Sequence, residues 1–129
     1  MPTDARVQLG KLGEDCACRE LERRGYVILE RRYRTRRGEI DIVATDGGVL
    51  VFVEVKARRG TAFGAPAEAV TWHKQRKLLQ LAAAYIAAKR LPEVPCRFDV
   101  VSVSWPRGAA TPHVNLLKHA FDHAAARSW

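Results

Sequence analysis

Residues 38–56 read GEIDIVATDGGVLVFVEVK, two β-prone runs joined by a turn. The DGG segment at 46–48 supplies residues that tolerate the positive φ angles of tight hairpin turns. The second run, 49–56, is apolar on both pleat faces until it reaches Glu54, which is typical of a strand with neighbours on each side. The sequence therefore predicts a hairpin whose second strand lies in the centre of a sheet.

The segment before the hairpin predicts a helix and a strand. Apolar residues recur at steps of three and four through residues 8–24, and Gly25 follows as a helix end. Residues 26–29 are β-prone, and the basic run 31–37 is expected to separate them from the strand at 39–44.

The segment after the hairpin predicts a second helix and a further strand. Thr71 is a good N-cap for an amphipathic helix that reaches Ile86. Residues 97–105 alternate as a strand does, and 106–129 is expected to be a flexible connection and a short C-terminal tail. The element order is αβββαβ, and no linker divides the 129 residues, so a single domain is expected.

The composition limits which binding partners and which cellular compartment are expected. The chain has 22 Lys and Arg against 14 Asp and Glu, a net charge of +8, which favours a polyanion such as nucleic acid or an acidic membrane surface. Cys16, Cys18 and Cys96 have no paired spacing, so neither a disulfide framework nor a zinc knuckle is indicated. The sequence has neither a signal-peptide core nor a run of 18 apolar residues, so a cytoplasmic protein without membrane association is expected.

Charged side chains gather at one end of the hairpin. Strand side chains alternate between faces, so Glu39 and Asp41 share one face of the first strand. On the second strand, Glu54 and Lys56 share a face for the same reason. Both strands are therefore polar at the same end.

Loop length decides how the two strands pair, because the numbers of two residues that face each other across a hairpin always add up to the same sum, which the loop sets. A two-residue loop at 47–48 places Asp41 directly across from Glu54. A loop at 46–47 instead pairs Glu39 with Glu54 and leaves Asp41 diagonal. Either register puts the carboxylates on one face, whereas a three-residue loop separates them unless a bulge intervenes.

This arrangement predicts a metal-dependent nuclease. Opposed carboxylates about 4.5–5.5 Å apart at Cβ repel each other and need a cation. Mg²⁺, or Mn²⁺ in its place, binds carboxylates with waters, phosphate oxygens and backbone carbonyls. A metal on Asp41 and Glu54 would polarise a phosphodiester, while Lys56 orients water or offsets charge on the phosphorane. The alternative is a solvated Glu-x-Lys pair, which would be poorly solvated at the end of a strand apolar on both faces.

Further motifs extend over nearly the whole chain: QLGKLGEDCA at 8–17, LERRGYVILERRYR at 21–34, RRGEIDIVA at 36–44, LVFVEVKARR at 50–59, FGAPAEAVTWHKQRKL at 63–78 and RFDVVSV at 97–103. With these motifs the chain resembles the YraN family, bacterial proteins with an endonuclease-like fold related to archaeal Holliday junction resolvases and type II restriction enzymes. The resemblance implies a PD-(D/E)xK nuclease core. Its fold is α/β and restriction-endonuclease-like, with the order αβββαβ and a mixed central sheet flanked by helices.

The resemblance also implies site residues. Asp41 corresponds to the metal aspartate, and Glu54 and Lys56 to the acid and lysine of the second half of the motif. The Val55 carbonyl corresponds to a further metal ligand. Glu14 matches the acidic residue that junction resolvases bring to the metal; its alternative is a solvent-facing helix glutamate.

One position departs from the family pattern. The proline that often precedes the aspartate is absent, and Ile40 stands there with Glu39 before it. Glu39 is either a further metal contact or the structural partner of a nearby arginine.

Basic residues surround the same end of the hairpin and are expected to hold phosphates, helped by the N-terminal dipole of the second helix. Phosphate contacts do not read sequence, so shape recognition with salt-dependent affinity is expected. The alternatives are a solvated loop, a solvated helix face and, for Tyr33, a core position instead of stacking on a base or sugar. The candidate contacts are Arg31, Arg32, Tyr33, Arg34, Arg36, Arg37, Arg58, Arg59, Lys74, Gln75, Arg76 and Lys77.

The leading hypothesis is a Mg²⁺-dependent endonuclease that acts on branched DNA in recombination or repair. The alternatives are a non-catalytic nucleic-acid-binding accessory protein and an interaction module that joins partner proteins of DNA processing. A homodimer is expected by analogy with resolvases.

Overall fold

The computed structural model describes residues 5–60 and 71–121. Its elements are α1 (Ala5–Arg23), β1 (Val27–Thr35), β2 (Gly38–Asp46), β3 (Val49–Arg59), α2 (Trp72–Ala88), β4 (Cys96–Trp105) and β5 (His113–Leu117). Residues 63–70 of one quoted motif and 122–129 of the expected tail lie outside the described residues.

The five strands form one mixed sheet in the order β1-β2-β3-β4-β5. β3 and β4 run parallel, while the other neighbours are antiparallel. A parallel pair needs a crossover connection, and α2 lies between β3 and β4 in the chain. The predicted αβββαβ order and mixed sheet are confirmed.

The core consists of two apolar layers, one on each side of the sheet. Leu50 and Phe52 of β3 pack with α2, whereas Val51 and Val53 pack with α1. Full burial of each such side chain stabilises the folded state by about 1.5–3 kcal/mol. β3 is therefore the central strand that the sequence predicts.

The β2–β3 hairpin has the two-residue loop that the sequence offers as one of two registers. Asp46 pairs with Val49, and Gly47 and Gly48 take positive φ angles of 55° and 87°. Glycine adopts such angles without the steric cost of a Cβ. The loop therefore fixes the register that aligns Asp41 with Glu54.

Two elements differ from the sequence-based expectation. β1 does not end at residue 29 but continues through most of the basic run, with Arg31 paired to Ile42 and Arg34 to Glu39. β1 is an edge strand, and long basic side chains suit an edge because they reach solvent. The prediction that residues 31–37 form a separating loop is therefore wrong, except for the turn at 36–37.

The second difference is a fifth strand. β5 pairs with β4 inside the segment 106–129, where the sequence predicts no strand.

Candidate active site

Asp41 lies where β2 and β3 separate. The paired residues of the hairpin end at Ile42 and Val53, so Asp41 is the next position beyond the ladder. Its Oδ2 accepts a hydrogen bond of 2.8 Å from the backbone N–H of Val55. The carboxylate thus takes the place of a backbone acceptor at the end of the ladder, which fixes its position relative to β3.

Asp41 borders two clefts, one beside each helix. The α1 cleft has a volume of about 390 Å³ and is lined in part by Glu14, Arg32, Glu39, Asp41 and Val55. The α2 cleft has a volume of about 260 Å³ and is lined in part by Glu39, Asp41, Glu54, Lys74 and Lys77. The structure therefore brings the predicted acidic residues to the two sides of Asp41.

The pKa of Asp41 is raised from 3.8 to about 7. Burial is the largest cause, because it removes the ionised form from water. The hydrogen bond from Val55 lowers the pKa, while the charges of Glu54, Glu39 and Glu14 raise it further. Negative charge is thus concentrated at this point and a cation there would relieve it.

Glu54 lies next to Asp41 in the α2 cleft, with a side chain only 11% exposed. It forms an ion pair with Lys74 of the first turn of α2. The turn is held in place because Oγ1 of Thr71 accepts a hydrogen bond of 3.2 Å from the backbone N–H of Lys74, as the N-cap prediction expects. Lys74 therefore neutralises one carboxylate of the cluster.

Glu14 is buried at 6% exposure, so the solvent-facing interpretation is wrong. It accepts hydrogen bonds from Nε of Arg31 at 2.9 Å and Nε of Arg32 at 3.0 Å. α1 approaches β3 closely here, since a Cβ at Gly13 would lie 2.6 Å from Cβ of Ala57. Glycine at position 13 is what allows Glu14 to reach the α1 cleft.

Arg31 and Arg32 are neighbours on a strand, yet both reach Glu14. Arg32 adopts a φ of 53°, in the left-handed region, and this breaks the alternation of side chains along β1. Such a conformation in a residue other than glycine is costly and is often found at functional sites. Arg31 also donates a hydrogen bond of 2.5 Å to Asp15.

Glu39 accepts a hydrogen bond of 2.7 Å from Nε of Arg34, the structural pairing that the sequence offers as one alternative.

Lys56 is half-buried on β3 beside Ser102 of β4. Strand alternation places it on the same side as Glu54. Among the described residues no three His, Cys, Asp or Glu side chains are arranged to hold a metal ion; Glu14 and Glu54 instead face basic side chains.

The predicted basic contacts occupy several environments. Tyr33 is half-buried at the edge of the core and packs against Tyr85 with ring centroids 4.9 Å apart, which favours its core alternative over stacking on a base or sugar. Arg59 lies over Trp105 at 5.5 Å. Arg36 and Arg37 are exposed in the β1–β2 turn.

The arginines of β1 do not form a solvated loop. Each is paired with an acidic residue, and they are Arg31, Arg32 and Arg34.

A third cleft, which we call the basic cleft, was not predicted. It has a volume of about 410 Å³ and lies between the β1–β2 turn and α2. Trp72, at the start of α2, is 66% exposed and therefore not a core residue. The described lining residues of the basic cleft are Arg37, His73, Arg76, Lys77, Gln80 and Leu81.

The mixed sheet, the αβββαβ order and the acidic residues at the β2–β3 separation define a protein of the restriction-endonuclease-like fold. A family model described as "Uncharacterised protein family UPF0102" matches residues 13–103. The chain belongs to this family, the YraN family, as the sequence motifs predict.

Similar proteins span nearly the same length. The UPF0102 protein of Symbiobacterium thermophilum is 49% identical over 114 residues, covering 88% of this chain and 96% of its own. That of Syntrophus aciditrophicus is 47% identical over 122 residues, or 94% of each chain. That of Geotalea daltonii is 46% identical over 116 residues, covering 90% of this chain and 91% of its own. Within the described residues, no helix is both long and apolar enough to cross a bilayer.

Proposed function

We propose that this protein is a divalent-metal-dependent endonuclease that hydrolyses phosphodiester bonds in branched or otherwise structured DNA. The observation that carries the proposal is the position of Asp41, which borders clefts lined by Glu14 on one side and Glu54 on the other. Acidic residues gathered at one point and ringed by arginine and lysine suit a site where a cation meets a phosphate.

The donor set fits a hard divalent ion. The carboxylates of Asp41 and Glu54 and the carbonyl of Val55 are the oxygen ligands that Mg²⁺ or Mn²⁺ prefers, and Glu14 and Glu39 lie next to them. The raised pKa of Asp41, about 7, supports the fit because burial and, to a smaller extent, the charges of Glu54, Glu39 and Glu14 disfavour its ionised form, which a bound cation would stabilise. When bound, the ion would supply Lewis acidity toward the phosphate and a bound water.

The remaining chemistry belongs to the chain's own residues. The ammonium of Lys56 would offset charge that develops on the phosphorane. Arg31, Arg32 and Lys74 now neutralise Glu14 and Glu54. DNA phosphates would draw these cations away, which frees the carboxylates for the metal. Binding of DNA and of metal would therefore reinforce each other.

The alternative is a DNA-binding accessory protein that does not cut. The ion pair between Lys74 and Glu54 favours it, because a carboxylate neutralised by lysine needs no metal. Both functions predict shape-selective, salt-dependent binding through phosphate contacts. Only the first predicts metal-dependent cleavage.

Cleavage assays separate the two. Labelled four-way junction, flap, duplex and single-stranded DNA are incubated with Mg²⁺, with Mn²⁺ or with chelator. We expect metal-dependent cuts in branched DNA that disappear in Asp41→Ala. The matched control is Glu22→Ala, an exposed acidic residue of α1, which should cut like the parent. Cleavage by Asp41→Ala at the parental rate would place the activity at another site, and metal-independent protection of junctions without cuts would favour the accessory role.

A further inference from the structure

Trp72 is exposed in an unusual setting. It is the first residue of α2, and 66% of its surface is open to solvent. The guanidinium carbon of Arg76, one turn further on, lies 4.8 Å from the centre of its ring. This contact orients the indole through a cation–π interaction, and most of its surface remains available to a second flat group.

The adjoining basic cleft is built for an anion. Arg37, His73, Arg76 and Lys77 line it, and none of its described lining residues is acidic. Nε of Arg76 is buried and has no hydrogen-bond partner within the described part of the chain. A buried donor of this kind is costly unless a ligand or water satisfies it. A phosphate oxygen would supply the missing acceptor once the guanidinium turns to expose Nε to the cleft.

Lys77 connects this cleft with the acidic site. It lines both the basic cleft and the α2 cleft that contains Asp41 and Glu54. Its stem passes over Gly38, where a Cβ would lie 3.0 Å from Cε of Lys77. The two clefts are therefore neighbours along one surface and share Lys77 and Leu81 in their linings.

We infer that the basic cleft and Trp72 form a subsite for an unpaired nucleotide of the substrate, its phosphate held by Arg37, Arg76 and Lys77 and its base stacked on Trp72. The inference rests on the proposed function in taking DNA as the ligand. A base inside a duplex has its faces covered by its neighbours, so it can stack on a side chain only when it is unpaired. The subsite thus selects DNA with a flap or a single-stranded tail over fully paired DNA.

Binding measured with chelator, in which a metal-dependent nuclease cannot cut, tests the inference. Dissociation constants are determined for a duplex and for the same duplex with a short single-stranded tail. We expect the parent to prefer the tailed DNA and Trp72→Ala to bind it roughly 5- to 150-fold more weakly, the equivalent of one lost base stack. Duplex binding should stay unchanged. Trp72→Phe should keep most of the preference, and Arg90→Gln, at the opposite end of α2, should keep all of it.

Fluorescence gives a second readout. The chain has three tryptophans, so the emission is measured in a Trp129→Phe background. Tailed DNA should quench the emission of this protein and leave that of the Trp72→Phe, Trp129→Phe double variant unchanged, since the remaining Trp105 is buried. The inference would be overturned if Trp72→Ala lost equal affinity for tailed and paired DNA, or lost no affinity. It would also be overturned if the parent protein bound neither DNA. A preference for tailed DNA without cleavage in the presence of metal would refute the endonuclease activity but not the subsite. Cleavage of tailed DNA by Trp72→Ala at the parental rate would refute the subsite but not the endonuclease activity.

Discussion

The carboxylate of Asp41 accepts a 2.8 Å hydrogen bond from the backbone N–H of Val55, just beyond the last paired residues of the β2–β3 hairpin. The same residue is thus a structural cap of β3 and the centre of an acidic cluster. These two roles oppose each other, because the hydrogen bond stabilises the fold whereas the buried charge weakens it. The opposition can be measured.

Asp41→Asn should stabilise the protein at pH 8 without divalent metal. The pKa of Asp41 is about 7 in the folded state against a reference of 3.8, so the parent loses stability as pH rises between these values. The amide has no charge and can still accept from Val55. We expect a gain on the order of 2–4 kcal/mol at pH 8 and little gain at pH 4, measured by urea unfolding.

Asp15→Asn is the control for this experiment, because Arg31 lowers the pKa of Asp15. Its contribution is present above the unfolded pKa and is lost as pH falls through the lower folded value, so the asparagine variant should be slightly less stable at pH 8. Each variant raises the net charge from +8 to +9, so a gain in both would mean that the loss of any carboxylate, and not the burial of Asp41, is responsible.

Mg²⁺ or Mn²⁺ should raise the melting temperature more at pH 8 than at pH 5. A cation must displace the proton of Asp41, so below pH 7 the apparent affinity should fall by up to about tenfold per pH unit. Differential scanning fluorimetry across pH measures this shift. Asp41→Asn and Glu54→Gln should lose the shift, and Glu22→Gln should keep it. An equal shift at both pH values would argue against a metal on Asp41.

Lys74→Met should increase the affinity for divalent metal in the absence of DNA. Its ammonium competes with the metal for Glu54, whose side chain is 11% exposed. A several-fold decrease in the Mn²⁺ dissociation constant is expected, measured by calorimetry. Lys89→Met is a matched control, since Lys89 is similarly exposed and pairs with Glu30 at the other end of α2. Weaker metal binding in Lys74→Met would show that the lysine supports the site.

Gly13→Ala should destabilise the protein by about 1–3 kcal/mol and reduce cleavage, because its Cβ would lie 2.6 Å from Cβ of Ala57 and push α1, with Glu14, away from β3. Gly10→Ala is the control on the same helix. Nothing lies within 4 Å of a Cβ there, so it should gain about 0.5–1 kcal/mol. Chemical denaturation and junction cleavage test the pair, and equal stabilities would mean that α1 shifts without cost.

Much of the site could be predicted because its determinants are local. The two-residue loop at 47–48 fixes which residues of β2 and β3 oppose each other, and strand alternation fixes their faces. Either of the two-residue loops that the sequence allows puts Asp41 on the same face as Glu54, directly across from it or diagonal, without any knowledge of the helices. The length of β1 could not be predicted in this way, because arginine has no strong strand preference and the edge position of β1 decides the outcome.

The sequence by itself determined the hairpin, the central strand and the common face of Asp41 and Glu54, since turn chemistry and a period of two act between near neighbours, but it left two registers open. Only the tertiary structure decided that Arg31 and Arg32 face Glu14 and that Trp72 stands exposed beside a basic cleft. These features depend on where α1 and α2 pack against the sheet. Contacts between residues distant in the chain leave no periodic signal in the sequence.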